Sequence, residues 1–176
     1  MKRIAELRSP EGAAELRALV VPVLLVGLHG AARAAAAEYR TATRDAVRSA
    51  PPLPPLADVV LDETYVAPLV KSGRNPYENF IFVGRASTCD VVLRDASVSK
   101  THAVLEHDPS AAPHAGWRIR DNGSHNGTWV NSRKLTPRDP VAVAGGDALV
   151  LGAYPAYVIL PDALRRILSG MGPPRA

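Results

Sequence analysis

The distribution of apolar and polar residues divides the chain into a helical first part and a strand-rich second part. Over residues 1–50, Ser9-Pro10-Glu11 has the residue types that begin a helix: a capping hydroxyl, a proline in the first turn and an acid near the helix dipole. Apolar residues from Leu16 to Val23 follow at helical spacings. We therefore predict that residues 1–50 are helical, with a kink or division at Pro22.

Residues 51–62 read as a linker between the two parts. The stretch Pro51-Pro52-Leu53-Pro54-Pro55 favours a stiff polyproline II conformation. A spacer is the expected role, and a ligand for an aromatic groove on a partner is the alternative.

Residues 63–160 show a different pattern, in which short β-prone runs are separated by Gly, Pro, Asn and Asp. Many short strands without helical stretches between them predict a mainly β fold, a sandwich or a barrel. Residues 161–176 are predicted to form one short helix, ending at Gly170, and a tail. The predicted strands are Tyr65–Val70, Phe80–Val83, Val91–Leu93, His102–Glu106, Trp117–Arg120, Thr128–Val130, Ala148–Leu151 and Ala156–Leu160.

The amino-acid composition excludes several classes of function but says little more about the fold. The net charge of +4 is too small to indicate a nucleic-acid partner, and 2 Trp, 5 Tyr and 2 Phe make a stacking platform for single strands unexpected. A lone cysteine, Cys89, excludes a disulfide framework and suits a reducing compartment, so we expect a cytoplasmic protein. The apolar run Ala18–Leu28 is shorter than the roughly 20 residues of a membrane span, although export by a signal peptide is a minor alternative.

The candidate chemistry lies in three predicted loops of the β-rich part. Arg85 follows a strand and can donate two parallel hydrogen bonds, Ser99 offers a hydroxyl donor, and Lys100 adds a second cation. Asn126 can both donate to and accept from an extended peptide backbone. A phosphate group needs such fixed donors and cations, so this set indicates a site for a phosphorylated ligand.

The order of these motifs resembles the forkhead-associated (FHA) domain, a phosphothreonine-peptide binding module with a β-sandwich fold. The resemblance covers about residues 63–160 and rests on Gly84-Arg85, Ser99 with His102, Asp121 to Thr128, Gly146-Asp147 and Leu151-Gly152. It implies that Arg85 and Ser99 bind the phosphate, that Lys100 contacts the peptide and that Asn126 holds the peptide main chain. It also implies structural roles for Gly84, His102 and Gly127, and no cofactor or metal.

Two positions depart from the family pattern. His125 stands where many members have Thr or Ser near the phosphate, and it could contribute its imidazole or only its backbone N–H. Ser97 stands where some members have an arginine that reads an acidic peptide side chain, which puts a preference for that acid in doubt.

The resemblance implies a non-enzymatic signalling adaptor, whose partner is a phosphothreonine protein acting with a Ser/Thr kinase. The heavy use of alanine and of arginine over lysine favours a GC-rich bacterial genome, so we expect a bacterial-type FHA protein, with residues 1–50 as its N-terminal helical extension. Residues 1–50 are expected to be dispensable for peptide binding and to pack on the β domain, bind a partner helix or self-associate.

Four rival interpretations remain open at this point. One is a structural assembly protein whose helical segment mediates oligomerisation. Another is an intramolecular switch in which a phosphorylated Thr41, Thr43 or Thr64 occupies the chain's own site. A hydrolase built on Ser99, His102 and Asp121 lacks a nucleophile elbow, and a zinc site from Cys89, His102, His107 and His114 lacks the usual ligand spacing.

Overall fold

Two β-sheets packed face to face form the framework of the described residues, 1–26 and 64–170, in the computed structural model. One sheet has seven strands in the order β1-β3-β2-β12-β11-β8-β9, and the other has five in the order β10-β7-β6-β4-β5. The predicted β-sandwich is thereby confirmed. The strands are β1 Lys2–Arg3, β2 Val23–Val26, β3 Tyr65–Pro68, β4 Phe80–Gly84, β5 Val91–Val92, β6 Ala103–His107, β7 Trp117–Asp121, β8 Thr128–Val130, β9 Arg133–Lys134, β10 Val141–Ala142, β11 Ala148–Leu151 and β12 Tyr154–Ile159.

All neighbouring strands are antiparallel except β4 and β5, which run parallel. Alternate side chains of the strands point inward, as the two-residue period of a strand requires. They meet in one apolar core between the sheets, which includes Leu24, Ile81, Leu105, Ile119 and Leu149.

The strand β2 corrects the prediction that residues 1–50 are helical. Val23–Val26 pairs with β12 on one side and with β3 on the other, and all four of its residues are buried. A short apolar run buried on both faces cannot be distinguished from a buried helix by periodicity, and its β-branched valines favour a strand. Residues 27–63, with the rest of the predicted helix, the linker, Thr41 and Thr43, lie outside the described residues.

In the part of the chain that the structure describes, three short helices cover the outer face of the seven-stranded sheet: α1 Ile4–Leu7, α2 Pro10–Ala18 and α3 Pro161–Leu168. The predicted start of α2 is confirmed, because the Ser9 hydroxyl accepts a hydrogen bond from the Gly12 N–H and Pro10 opens the helix. The helix ends at Ala18, since Leu19 takes an extended conformation and leads into β2.

Apolar side chains hold this helical layer to the sheet in a second core cluster. Leu25, Tyr157 and Ile159 from the sheet contact Leu16 and Leu164 from the helices. Arg165 adds a polar link, since its Nη1 donates to the Leu16 carbonyl oxygen of α2 at 2.8 Å. Residues 1–26 are therefore part of the sandwich, which argues against the expectation that they are dispensable.

The structure also bears on two further predictions, one about a membrane span and one about phosphorylation of Thr64. None of the helices in residues 1–26 and 64–170 is long and apolar enough to cross a membrane. Thr64 is fully buried beside β3, and its carbonyl oxygen accepts a hydrogen bond from the Ile4 N–H, so its hydroxyl is not accessible to a kinase in the folded chain.

Candidate functional site

Three loops and one turn meet at the same end of the sandwich. They are the β4–β5 loop (residues 85–90), the β5–β6 loop (residues 93–102), the β7–β8 loop (residues 122–127) and the turn between β11 and β12. Backbone hydrogen bonds join the first two loops, from Arg85 N–H to Ser99 O at 2.9 Å and from Ala86 N–H to Lys100 O at 3.0 Å. The structure therefore brings Arg85, Ser99 and Lys100 together, as the sequence predicts.

Gly84 is required at the close contact between the β4–β5 and β5–β6 loops. A Cβ atom at this position would lie 2.3 Å from the Lys100 carbonyl oxygen, far inside van der Waals distance. Any side chain would push the two loops apart and separate Arg85 from Ser99.

The Arg85 side chain is positioned by one hydrogen bond and leaves most of its donors available. Its Nε donates to the Val98 carbonyl oxygen at 3.1 Å. The side chain is exposed, and its two terminal amino groups have no hydrogen-bond partner among the described residues. A planar guanidinium fixed at Nε can present both amino groups to an anion.

Ser99 keeps its hydroxyl proton for a ligand. Its Oγ accepts a hydrogen bond from the His125 backbone N–H at 3.0 Å, so the oxygen is oriented while the O–H remains a donor. Because the His125 N–H is already bonded, only the exposed His125 imidazole is left to contact a ligand. Lys100 is exposed beside Ser99.

His102 links the β5–β6 and β7–β8 loops from inside the protein. The Ser99 N–H donates to Nδ1 at 3.0 Å, and Nε2 lies 2.9 Å from the Gly127 carbonyl oxygen. Since a carbonyl only accepts, Nε2 must carry the proton and the ring is neutral. Burial lowers the pKa of His102 below its ordinary value of 6.5, although the Gly127 hydrogen bond and the nearby Asp121 charge oppose this.

Asn126 and Gly127 complete the β7–β8 loop in the predicted place. The Asn126 Nδ2 donates to the Ser97 carbonyl oxygen at 2.8 Å, which ties this loop to the β5–β6 loop and leaves the amide oxygen for a ligand. Gly127 has a φ of +88°, a conformation that residues with a Cβ rarely adopt.

Asp121 organises the β7–β8 loop, a role that sequence reasoning missed. Its Oδ1 accepts from the N–H groups of Gly123 and Ser124, and its Oδ2 accepts from the hydroxyls of Ser124 at 2.5 Å and Thr128 at 2.6 Å. The residue is only 1% exposed, so these bonds replace its lost hydration. The Asp-x-Gly-Ser spacing, which favours an Asx turn, is the signal that could have revealed it.

Ser97 is a second structural residue of the site. Its hydroxyl donates to Asp95 Oδ1 at 2.7 Å and accepts from the Ala153 N–H at 3.0 Å. This connects the β5–β6 loop to the turn between β11 and β12, where the Gly152 N–H also donates to the Gly127 carbonyl oxygen. Ser97 is buried, so it supports the loop and does not face a peptide.

Asp90 and Cys89 anchor the β4–β5 loop. Burial by itself would raise the pKa of Asp90, but hydrogen bonds from Ser72 and the Phe82 N–H, together with nearby Lys71, bring it below its ordinary value of 3.8. Cys89 is fully buried, and burial raises the pKa of its thiol. A buried thiol with a raised pKa is unreactive.

The hydrolase and zinc alternatives find no support in this geometry. The His102 ring is bonded to a backbone N–H and a backbone carbonyl, and every oxygen of Asp121 is occupied within its own loop, so Ser99, His102 and Asp121 do not form a triad. Across residues 1–26 and 64–170, no three His, Cys, Asp or Glu side chains gather as a metal site would require.

The β-sandwich carries the exposed Arg85 and Lys100 beside Ser99 at its loop end, and comparisons with known proteins show what this part of the chain resembles. Residues 81–152 match the family model of the FHA domain. The chain is 34% identical over 70 residues to an FHA domain-containing protein of Arabidopsis thaliana and 34% identical over 88 residues to human kanadaptin. These matches cover 40% and 47% of this chain but only 17% and 12% of the relatives.

A solved structure agrees with the fold. The crystal structure of the MEK1 FHA domain has a TM-score of 0.50 and 18% sequence identity, and the match covers 86% of this chain and 99% of that one. Residues 81–152 thus resemble FHA domains in sequence, and the chain shares their fold. The relatives include plant and human proteins, so the bacterial type stays a prediction.

Proposed function

We propose that this chain binds phosphothreonine-containing peptides through Arg85, Ser99, Lys100, His125 and Asn126. The observation that carries the proposal is the pairing of Arg85 with Ser99. Arg85, whose two guanidinium amino groups have no hydrogen-bond partner among the described residues, is bonded through its backbone N–H to Ser99, whose hydroxyl oxygen is held by the His125 N–H and whose proton remains available. Three donors on a rigid support match the acceptor oxygens of a phosphate.

The rest of the site favours a peptide ligand over a small anion. The Asn126 side chain is held at Ser97 by its nitrogen, which leaves its oxygen to accept from a peptide N–H. The loops are braced by buried His102, Asp121 and Ser97, so the donors are positioned before the ligand arrives. Such preorganisation lowers the entropic cost of binding.

We further propose that the chain acts as a non-enzymatic adaptor downstream of a Ser/Thr kinase, in the cytoplasm. The partner would be a kinase or its substrate carrying the phosphothreonine. The lone, buried and unpaired thiol of Cys89 supports a reducing compartment.

Calorimetry with a phosphothreonine peptide and its unphosphorylated form tests the proposal. We expect only the phosphorylated peptide to bind, and we expect Arg85→Ala to weaken binding by at least about tenfold, because charge-assisted hydrogen bonds contribute roughly 1.5–3 kcal/mol each. Arg166→Ala, which removes an exposed arginine from α3 in the helical layer, is the matched control. Equal affinity for both peptides would refute the function, and full binding by Arg85→Ala would refute the site.

A further inference from the structure

A groove of about 350 Å³ lies between the β7–β8 loop and the segment around β9. It begins at the two residues proposed to contact the peptide, His125 and Asn126. Arg85 and Ser99 are not among the residues that line it. Its remaining wall is formed by β9 and the segment that follows, and includes Lys134, Leu135, Thr136 and Pro137.

Lys134 supplies the available charge of this groove. Its ammonium lies 5.1 Å from the centre of the Trp129 ring, which is a cation–π contact. Its Cε packs close to Gly127, only 2.8 Å from where a Cβ of that residue would be. The ammonium is therefore held next to the loop that carries Asn126.

Among the described residues, the groove has no exposed acid to neutralise this ammonium. The one carboxylate in that part of its lining belongs to Asp121, which is 1% exposed and accepts four hydrogen bonds from Gly123, Ser124 and Thr128. Within residues 1–26 and 64–170, Lys134 makes no ion pair with any carboxylate. Charge complementarity thus favours an acidic ligand group, and the apolar wall from Leu135 and Pro137 suits the methylene stem of that group.

We infer that Lys134 is a specificity-determining residue that selects phosphothreonine peptides with a Glu or Asp side chain close to the phosphothreonine. This inference rests on the proposed function, because the peptide main chain must pass Asn126 to place a side chain in the groove. The site differs from the position of Ser97, which is buried and faces the turn between β11 and β12.

Positional phosphothreonine peptide libraries test the inference on the full chain. Each library fixes one flanking residue as Glu, Gln, Asp, Asn, Lys or Arg and leaves the others degenerate. The wild-type chain is expected to prefer the acid over its amide by about threefold at one flanking position, the size of an exposed ion pair. Lys134→Gln is expected to abolish this preference, so that the acid and amide libraries bind it equally.

Two further variants make the result specific to this ammonium. Arg133→Gln removes the neighbouring exposed cation of β9, which does not line the groove, and is expected to keep the preference. Lys134→Arg is expected to retain it, and Lys134→Glu to reverse it toward Lys and Arg. A wild-type chain without any acid preference, or a Lys134→Gln chain that keeps it, would overturn the inference while leaving the proposed function intact. Failure of every phosphothreonine library to bind would overturn both.

Discussion

Different kinds of contact hold the outer face of the seven-stranded sheet and the loop end of the sandwich. The helical layer is held by apolar side chains such as Leu16, Leu25 and Leu164. The loops are held by buried polar groups, above all His102 and Asp121, whose hydrogen bonds are directional. Apolar packing stabilises a region without specifying atomic positions closely, whereas directional bonds place donors where a ligand needs them.

Because of this difference, the two regions should contribute differently to the stability of the fold and to peptide binding. Changes in the helical layer and in β2 should lower the free energy of unfolding and leave the affinity of the folded protein for peptides unchanged. Changes in the polar braces should affect both, because the same bonds hold the loops and orient the donors.

Deletion of residues 1–26 is expected to have the largest effect. Removing β2 takes away the strand between β3 and β12 and exposes the second core cluster. We expect no cooperative unfolding transition in circular dichroism. A truncated chain that unfolds cooperatively and binds the same phosphothreonine peptide would show that this layer is an accessory.

Leu24→Ala should test the packing of β2 without removing it. Leu24 is fully buried in the core between the sheets, so the substitution is expected to lower the free energy of unfolding by about 2–5 kcal/mol. Val20→Ala is the control, since Val20 is 62% exposed and should change stability by less than about 0.5 kcal/mol. Urea denaturation measures both, and similar losses would contradict the placement of β2.

Asp121→Asn is expected to have a smaller effect on stability and a visible one on binding. The amide nitrogen would face donors where the carboxylate now accepts four hydrogen bonds, at a cost of about 1–3 kcal/mol in the free energy of unfolding. Peptide affinity should fall as well, because Asn126 lies in the same loop. Asp139→Asn, at an exposed position, serves as the control. Unchanged peptide affinity in Asp121→Asn would show that the Asp121 hydrogen bonds do not position Asn126.

The pH dependence of stability should show the smallest effect, and it arises from His102. Its pKa is lower in the folded chain than its ordinary value of 6.5, so below that value the unfolded chain binds more protons than the folded one. Stability from this group is complete above about pH 7 and is lost as the pH falls through the ordinary value toward the depressed one. His102→Gln, which does not titrate, should lose less free energy of unfolding than the wild type between about pH 7 and pH 5. Equal losses would show that His102 is not buried and neutral.

Much of the candidate site could be predicted from sequence because its residues lie in local motifs. Arg85, Ser99 and Asn126 are each next to a turn residue or the end of a β-prone run, and the structure brings these three loops together. The loops' internal supports were harder to find. The role of Ser97 depends on Ala153, which is distant in sequence and becomes a neighbour only when the strands pair.

The sequence alone determined the eight longer β-prone runs, the sandwich class and the residue types of the site, because two-residue alternation and turn residues are local properties. Only the tertiary structure decided that Val23–Val26 is a strand, since both of its faces are buried by other elements and its own pattern suits a helix equally well. The same holds for the two-residue strands β1, β9 and β10, which are defined by their pairing with neighbouring strands. The tautomer of His102 was also decided there, because it depends on which backbone groups the fold places at each end of the ring.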